Sequence, residues 1–407
     1  MNEARAIAEE TARASYGRLL AWLCARTGDV AAAEDALAEA FRAALEHWPQ
    51  SGVPASPEAW IITAARRKLI DQGRKAKTRI DAEPALVLAA EEAEAKASAD
   101  SPFPDERLKL MFICAHPAIE ESVRTPLMLQ TVLGLDAARI ASAFLTSPKA
   151  MGARLVRAKR KIKAASVPFA EPPVEQLQDR MSAVLNAIYA AFGTGWNEIE
   201  GDAQTGGLTH EAIFLAQLVT SLAPDHAEAW GLLSLMLHAE ARRKARHVNG
   251  VYVPLSSQNS ALWNTRMIVT AEQALAKAWR LKQIGRFQIE AAIQSAHAAS
   301  GLHGRDVAQD IILLYENLLR VAHSVGAEIG YAAALASASR FQDSLDVLDN
   351  IESERIKSYQ PYWAVRAHIC KGLNRKAEAD AAFQRAIGLA DNDATRAFLL
   401  AQKTAPI

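Results

Sequence analysis

Few segments of this chain alternate apolar and polar residues, whereas apolar residues recur at helical intervals through most of its length. That periodicity marks amphipathic helices and leaves little material for sheets. Alanine, the residue that enters a helix most readily, is abundant, while glycine and proline are modest at 20 and 16. The expected fold class is all-α. At 407 residues the chain is longer than an ordinary single domain, so two or three domains are expected. Half the residues are apolar and the formal net charge is zero, which suits a globular protein and argues against wholesale disorder. Cys24, Cys114 and Cys370 stand far apart with no CxxC pair, a pattern that implies neither a disulfide framework nor a metal site. The opening MNEARAIAEE lacks the basic and apolar blocks of a signal peptide, and no apolar run is long enough to span a bilayer. A cytoplasmic protein with no membrane partner is expected.

The neutral total conceals strong local charge. Residues 66–79 hold Arg66, Arg67, Lys68, Arg74, Lys75, Lys77 and Arg79 against Asp71 alone, and residues 149–163 hold Lys149, Arg154, Arg157, Lys159, Arg160, Lys161 and Lys163 with no acid. Between them lies an acidic stretch carrying Asp81, Glu83, Glu91, Glu92, Glu94, Asp100, Asp105 and Glu106, opposed by Lys96. Two basic clusters on an acidic tether suggest two contacts with a polyanion, although each cluster by itself also reads as a solvated helix face.

The first cluster closes a helical unit. From Ala33 the residues Leu37, Ala40, Phe41, Ala44, Leu45 and Trp48 form an apolar stripe, with Asp35, Glu39, Arg42 and Glu46 opposite. Pro49 and Gly52 are expected to break this helix. Ser56 and Pro57 then start a second, in which Ile61, Ala65 and Leu69 pack and the cations gather toward the end. The runs AEDALAEAFRAALEHWP and AWIITAARRKLID resemble region 2 of extracytoplasmic-function sigma factors. The resemblance implies that Asp35, Glu39, Phe41 and Arg42 lie on a helix that docks on core RNA polymerase. It gives residues 49–57 to a loop that captures a base of the −10 promoter element, and Trp60, Arg66, Arg67, Lys68 and Arg74 to the DNA side. Ala38 and Arg67 depart from the family's usual glutamine and asparagine.

The second cluster lies in DAARIASAFLTSPKAMGARLVRAKRKIKAA, which reads as a helix-turn-helix. Ile140, Ala141 and Phe144 form the inner face of its first helix, Ser147 and Pro148 start the second, and Met151, Leu155 and Ala158 form the buried stripe. Such a unit lays its second helix in the major groove; an ordinary helical hairpin with a basic surface is the plainer alternative. The segment resembles region 4 of the same family, which reads the −35 element. Its lead-in, with Cys114-Ala115-His116-Pro117, is similar to the branch that bears a C-terminal tetratricopeptide-repeat domain. Cys114 and His116 are expected to be packing and turn residues. Gly152, Ala153 and Val156 occupy positions usually polar on a recognition helix, so base readout rests on Lys149, Arg154 and Arg157. Lys159, Arg160, Lys161 and Lys163 are expected on phosphates, which supply affinity without sequence information.

The expected domains are sigma region 2 over 1–80, an acidic linker over 81–105, region 4 over 106–167 and a tetratricopeptide-like helical array over 168–407. The resemblance implies that the linker threads the polymerase cleft; composition alone reads as a solvated linker. In the array the clearest repeat is YWAVRAHICKGLNRKAEADAAFQRAIGLA, turning at Gly372-Leu373-Asn374, with further units at 330–350 and 224–246. VNGVYVPLSSQNSALWN is an insertion. Such arrays present curved surfaces to a peptide or protein partner. Trp196, His210, Trp230, Arg242, Arg243, Tyr252, Trp263 and Arg266 include groups able to line a pocket, though aromatics at this spacing usually belong to a core. No catalytic motif, metal site or cofactor is implied, so an enzyme is not expected. Three readings follow: an alternative sigma factor that binds core polymerase and promoter DNA, regulated in cis by its repeats; a helix-turn-helix regulator with a repeat-type sensor; or a repeat-protein adaptor.

Overall fold

The computed structural model describes residues 2–76, 105–144, 146–165, 167, 169, 172–196, 206–352 and 356–405. Helices account for nearly all regular structure among them, as the periodicity predicts. The acidic linker of residues 81–104 lies outside the described residues. The chain divides into two compact units, Met1–Ala223 and Pro224–Ile407.

The first unit begins with α1 (Asn2–Thr27), α2 (Val30–Ser51) and α3 (Pro57–Ala76), which pack on one another. Asp29 starts α2 by accepting bonds from the Ala31 and Ala32 amides, each at 3.1 Å. Such caps satisfy amides that have no partner within the helix. Leu20, Leu23, Leu37, Trp48 and Ile61 fill the space between the three helices with almost no exposure, each contributing about 1.5–3 kcal/mol of transfer free energy. Glu58, in the first turn of α3, accepts bonds from Ser15 and Arg18 of α1. The expected break at Pro49 does not occur. Pro49 stands inside α2, which ends at Gly52, φ 86°; a proline one turn from the end forfeits a single backbone bond, and the left-handed glycine does the stopping.

Next come α4 (Glu106–Cys114), α5 (Glu121–Thr131), α6 (Ala137–Ala143), α7 (Pro148–Ala164), α8 (Val174–Trp196) and α9 (Gly206–Leu222). Phe112, Leu127 and Met128 are fully buried between α4 and its neighbours. The helix α8 closes on them, with Arg180 Nη1 donating to the Phe112 carbonyl at 3.1 Å. Arg107 of α4 pairs with Asp105 at 2.8 Å and with Glu211 of α9. Residues 172–222 thus belong to the first compact unit, which ends at Ala223.

The second unit is a succession of helices: α10 (Ala227–Glu240), α11 (Thr265–Arg280), α12 (Arg286–His303), α13 (Ala308–Val321), α14 (Val325–Ser337), α15 (Phe341–Asp349), α16 (Gln360–Gly372), α17 (Lys376–Gly388) and α18 (Asp393–Thr404). Neighbours in sequence pack together, α14 with α15 and α16 with α17 among them. The latter pair turns at Asn374, φ 60°, inside the predicted turn. Residues 224–246 supply α10 and a 3₁₀ turn at Arg243–Ala245, and the partners of α10 are α11 and α12 beyond the insertion. Glu228 of α10 accepts bonds from the Phe287 and Gln288 amides at 2.9 and 3.0 Å, and so caps α12 from outside. Gly372 lies so close to the Phe341 ring that an added Cβ would stand 2.5 Å from it, so the two helices approach only because glycine is there. The insertion forms a hairpin of β1 (His247–Val248) and β2 (Val251–Tyr252) around Asn249-Gly250, followed by short 3₁₀ turns.

Candidate nucleic-acid interface

The helix α2 buries Ala33, Leu37, Ala40, Ala44 and Trp48, and this leaves the residues between them on its outer side. Asp35 and Arg42 are exposed, whereas Glu39 and Phe41 are half-buried. Leu45, placed on the apolar stripe by its spacing, is 45% exposed, because the stripe is narrower than the sequence suggests. Arg42 spans Glu39 at 2.6 Å and Glu46 at 2.5 Å, and Lys68 of α3 approaches Glu39 at 3.6 Å. The Arg42 guanidinium foremost, then the Lys68 ammonium, holds the Glu39 carboxyl below the usual glutamate range. Glu39 and Glu46 of this face are therefore paired with surface cations within the chain.

On α3, the Trp60 ring stands edge-on to buried Trp48, with centroids 5.6 Å apart, and tilts against His47 at 6.5 Å. Trp60, Ala59, Thr63, Ala64 and Arg67 line an open cleft of about 360 Å³. Arg67 is exposed, and Arg66 lies 5.8 Å from the Trp22 ring. The cleft thus has one aromatic wall, held in place by the core, and one cation at its rim. Lys68 turns toward Glu39. Arg74 is in the last turns of α3, and its side chain lies outside the described residues.

Ser147 caps α7 by accepting from the Ala150 amide at 3.2 Å, with Pro148 as the first helical residue. Met151, Leu155, Ala158 and Ile162 form its buried stripe. The face opposite is exposed and carries Lys149, Arg154, Arg157, Arg160 and Lys161, among which Ala153 and Val156 are also exposed. Ile140 and Ala141 of the preceding helix are buried as expected, but Phe144 is 38% exposed; it falls past the end of α6, where the backbone has left the helix and no longer directs it inward.

Two of the basic residues are paired with acids of the same unit. Lys159 bonds to Glu34 of α2 and to Gln130 of α5 at 3.1 Å, and the Lys159 and Glu34 side chains are only 12% and 18% exposed. Lys163 pairs with Asp29, the cap of α2, at 2.8 Å. Tyr16 joins this junction by donating to Glu34 at 3.5 Å, and burial, with Glu34 next, pushes its hydroxyl pKa far up. Beneath them α1 meets the chain after α5 directly: a Cβ on Gly17 would lie 1.7 Å from the Val132 carbonyl oxygen. The helix with the acidic face and the helix with the basic face are thereby fastened together within one unit. Glu34, Asp29 and Gln130 went unremarked in the sequence, where nothing links residues about a hundred positions apart.

Cys114 is fully buried, its thiol 3.5 Å from the Thr131 hydroxyl, and burial pushes its pKa up to about 12. His116 Nδ1 accepts from the Ala118 amide at 3.1 Å in a turn. Both are packing and turn residues here. No helix among the described residues is long and apolar enough to cross a membrane.

Residues 12–79 match the sigma-70 region 2 family, which covers α1 to α3 and the Trp60 cleft. Residues 180–279 match a family of unknown function, DUF6596, which runs from α8 to α11. An uncharacterised protein of Rhizobium meliloti (strain 1021) is 34% identical over 376 residues, or 91% of this chain and 89% of that protein. No solved structure matches the chain.

Proposed function

We propose that this chain, which belongs to one family with the Rhizobium meliloti protein and carries a sigma-70 region 2 domain at its N-terminus, is an alternative sigma factor of the extracytoplasmic-function type. Region 2 supports a role in promoter recognition at the level of the family. The finer reading assigns Asp35, Glu39, Phe41 and Arg42 to core RNA polymerase. It assigns the cleft of Trp60 and Arg67, with Arg66, Lys68 and Arg74, to opened −10 DNA, and Lys149, Arg154, Arg157, Arg160 and Lys161 to the −35 duplex.

The observation that carries this reading is the coexistence of two different DNA-suited surfaces in one unit. An unpaired base needs a flat apolar wall to replace its lost stacking and a cation for its phosphate, which Trp60 and Arg67 offer. A duplex needs a row of cations on a helix narrow enough for the major groove, which α7 offers. A regulator that binds only duplex DNA has no use for the first surface, and an adaptor has use for neither.

In the free chain Lys159 and Lys163 are engaged by Glu34 and Asp29. A phosphate contact by Lys159 would require the α2–α7 junction to part, with polymerase supplying the binding free energy for it. The helices after Pro224 act as a tetratricopeptide-like array that binds a protein or peptide and regulates initiation in cis.

The test is transcription in vitro by core polymerase on fragments of the source genome. Run-off products that need the added chain, and that are lost with Trp60→Ala plus Arg67→Ala, bear the reading out. Core polymerase that gains no specific product from the chain on any fragment refutes it.

A further inference from the structure

A cluster of buried polar groups in the second unit has no part in the promoter-binding reading. Arg242, just past α10, is 7% exposed. Its Nε donates to the His238 carbonyl at 3.1 Å and its Nη2 to Gln294 Oε1, while Nη1 is buried without a partner. Among the described residues no carboxylate pairs with this guanidinium. The nearest acid in sequence, Glu240, is taken by Arg243 at 2.8 and 2.9 Å.

The groups around it are equally short of partners. Trp263 is 6% exposed, its ring 5.9 Å from the guanidinium, and its Nε1 donates to nothing. His238, one turn before Arg242, is 1% exposed; its Nδ1 is buried without a hydrogen bond, and its Nε2 is 3.4 Å from Glu272, whose carboxyl it holds below the usual glutamate range. Ten buried side-chain polar atoms lack a hydrogen bond among the described residues, and four of them belong to Arg242, Trp263 and His238. Native interiors satisfy such atoms with few exceptions, so their concentration at one place points to a missing partner.

The missing partner is negative. Burial pushes the Arg242 pKa down to about 10, and burial together with the Arg242 charge lowers His297 to about 4. Half-buried Arg246 stands 5.8 Å from the Tyr252 ring and is likewise depressed by burial. The buried Arg242 guanidinium thus has only neutral partners, the His238 carbonyl and Gln294, which a protein interior tolerates poorly unless something compensates its charge.

We propose that Arg242, with Trp263 and His297 beside it, anchors a site for a small molecule bearing an oxyanion, either carboxylate or phosphate. The planar guanidinium fork suits both groups. Gln294, His297, Arg246 and Tyr252 are each partly exposed, so the cluster lies near the surface of the unit. Tyr252 belongs to the inserted hairpin and packs edge-on to Phe398 of α18, with centroids 5.5 Å apart. The insertion therefore forms one wall of the site and fastens it to the last helix. The wider groove between α11 and α12, lined by Ile268, Val269, Ala298 and Glu272, is apolar with an acid in it and suits an anion badly.

The experiment is calorimetric titration of the full-length chain with inorganic phosphate and, separately, citrate, against sodium chloride at matched ionic strength. Binding of one molecule per chain is expected from at least one oxyanion: phosphate alone identifies a phosphate site, citrate alone a carboxylate site. Arg242→Gln is expected to weaken that binding at least tenfold. Binding of neither oxyanion, or equal binding by a natively folded Arg242→Gln chain, overturns the proposal. Should that variant fail to fold, the imidazole signals of the native chain decide: the oxyanion is expected to raise the His297 pKa, and an unchanged value overturns the site.

Discussion

The ammonium of Lys159 in α7 is bound by the carboxylate of Glu34 in α2, and both side chains are less than one-fifth exposed. A residue whose position in a basic run suggests a phosphate contact is thus occupied within the protein, on the helix that carries the acidic face.

Replacing Glu34 by Gln leaves Lys159 largely buried without its counter-charge, with Gln130 as a neutral partner. Loss of about 1–3 kcal/mol is expected, measured by calorimetric unfolding. If the junction restrains α7, the free variant also binds duplex DNA more tightly than the native chain in fluorescence anisotropy. Gly17→Ala attacks the same junction sterically, since the added methyl collides with the Val132 carbonyl, and about 3 kcal/mol of destabilisation is expected.

The cations of α7 separate by their salt dependence. Each exposed residue that neutralises a phosphate adds about 0.9 to the slope of log affinity against log salt. Arg157→Ala and Arg160→Ala are expected to lower the slope of promoter binding by the polymerase complex by about one each. If Lys159→Met lowers it equally, Lys159 leaves Glu34 in the bound state.

Asp29 gives the first unit a specific acid sensitivity. Burial alone raises its carboxyl, but the Lys163 ammonium and the Ala32 and Ala31 amides together outweigh it and hold the pKa below the ordinary aspartate value. A carboxyl depressed on folding contributes stability that is complete above its unfolded pKa, about 4, and is lost as the pH falls through the lower folded value. Asp29→Asn should therefore flatten the fall in melting temperature below pH 4, while leaving stability at pH 7 lower than native because the ion pair with Lys163 is gone.

The unit boundary has a practical consequence. A chain cut at residue 171 loses α8 and α9 and uncovers Phe112, whose carbonyl Arg180 holds. Met181, Leu185, Ile188, Phe192 and Leu215 are lost from the core with them. At about 1.5–3 kcal/mol each, their loss approaches the whole stability of a domain, about 5–15 kcal/mol. Residues 1–223 should unfold cooperatively in circular dichroism, and residues 1–171 should not.

How much of this was legible in the sequence follows from the range of each interaction. The cap at Ser147 and the stripe of Met151, Leu155 and Ala158 are set by neighbours within one or two turns, and spacing reveals them. The Trp60 cleft is half legible: α3 is readable, but the Trp48 edge that fixes the ring depends on how two helices cross. Nothing local distinguishes Lys159 from Arg157 or Arg160, because Glu34 lies 125 positions away. Pro49 misleads, since its cost depends on how much helix follows, and here only two residues do. The hairpin at Asn249-Gly250 has strands of two residues, too short for alternation to register. Arg242 reads as a surface arginine until the helices beyond the insertion enclose it.

Docking of α2 on core RNA polymerase is measured by co-elution of the full-length chain with the enzyme, beside a variant carrying Asp35→Lys and Glu39→Lys. The native chain is expected to elute with polymerase, and the variant, folded but reversed in charge along the outer face of α2, is not. Failure of the native chain to associate, or equal association by the variant, contradicts that docking.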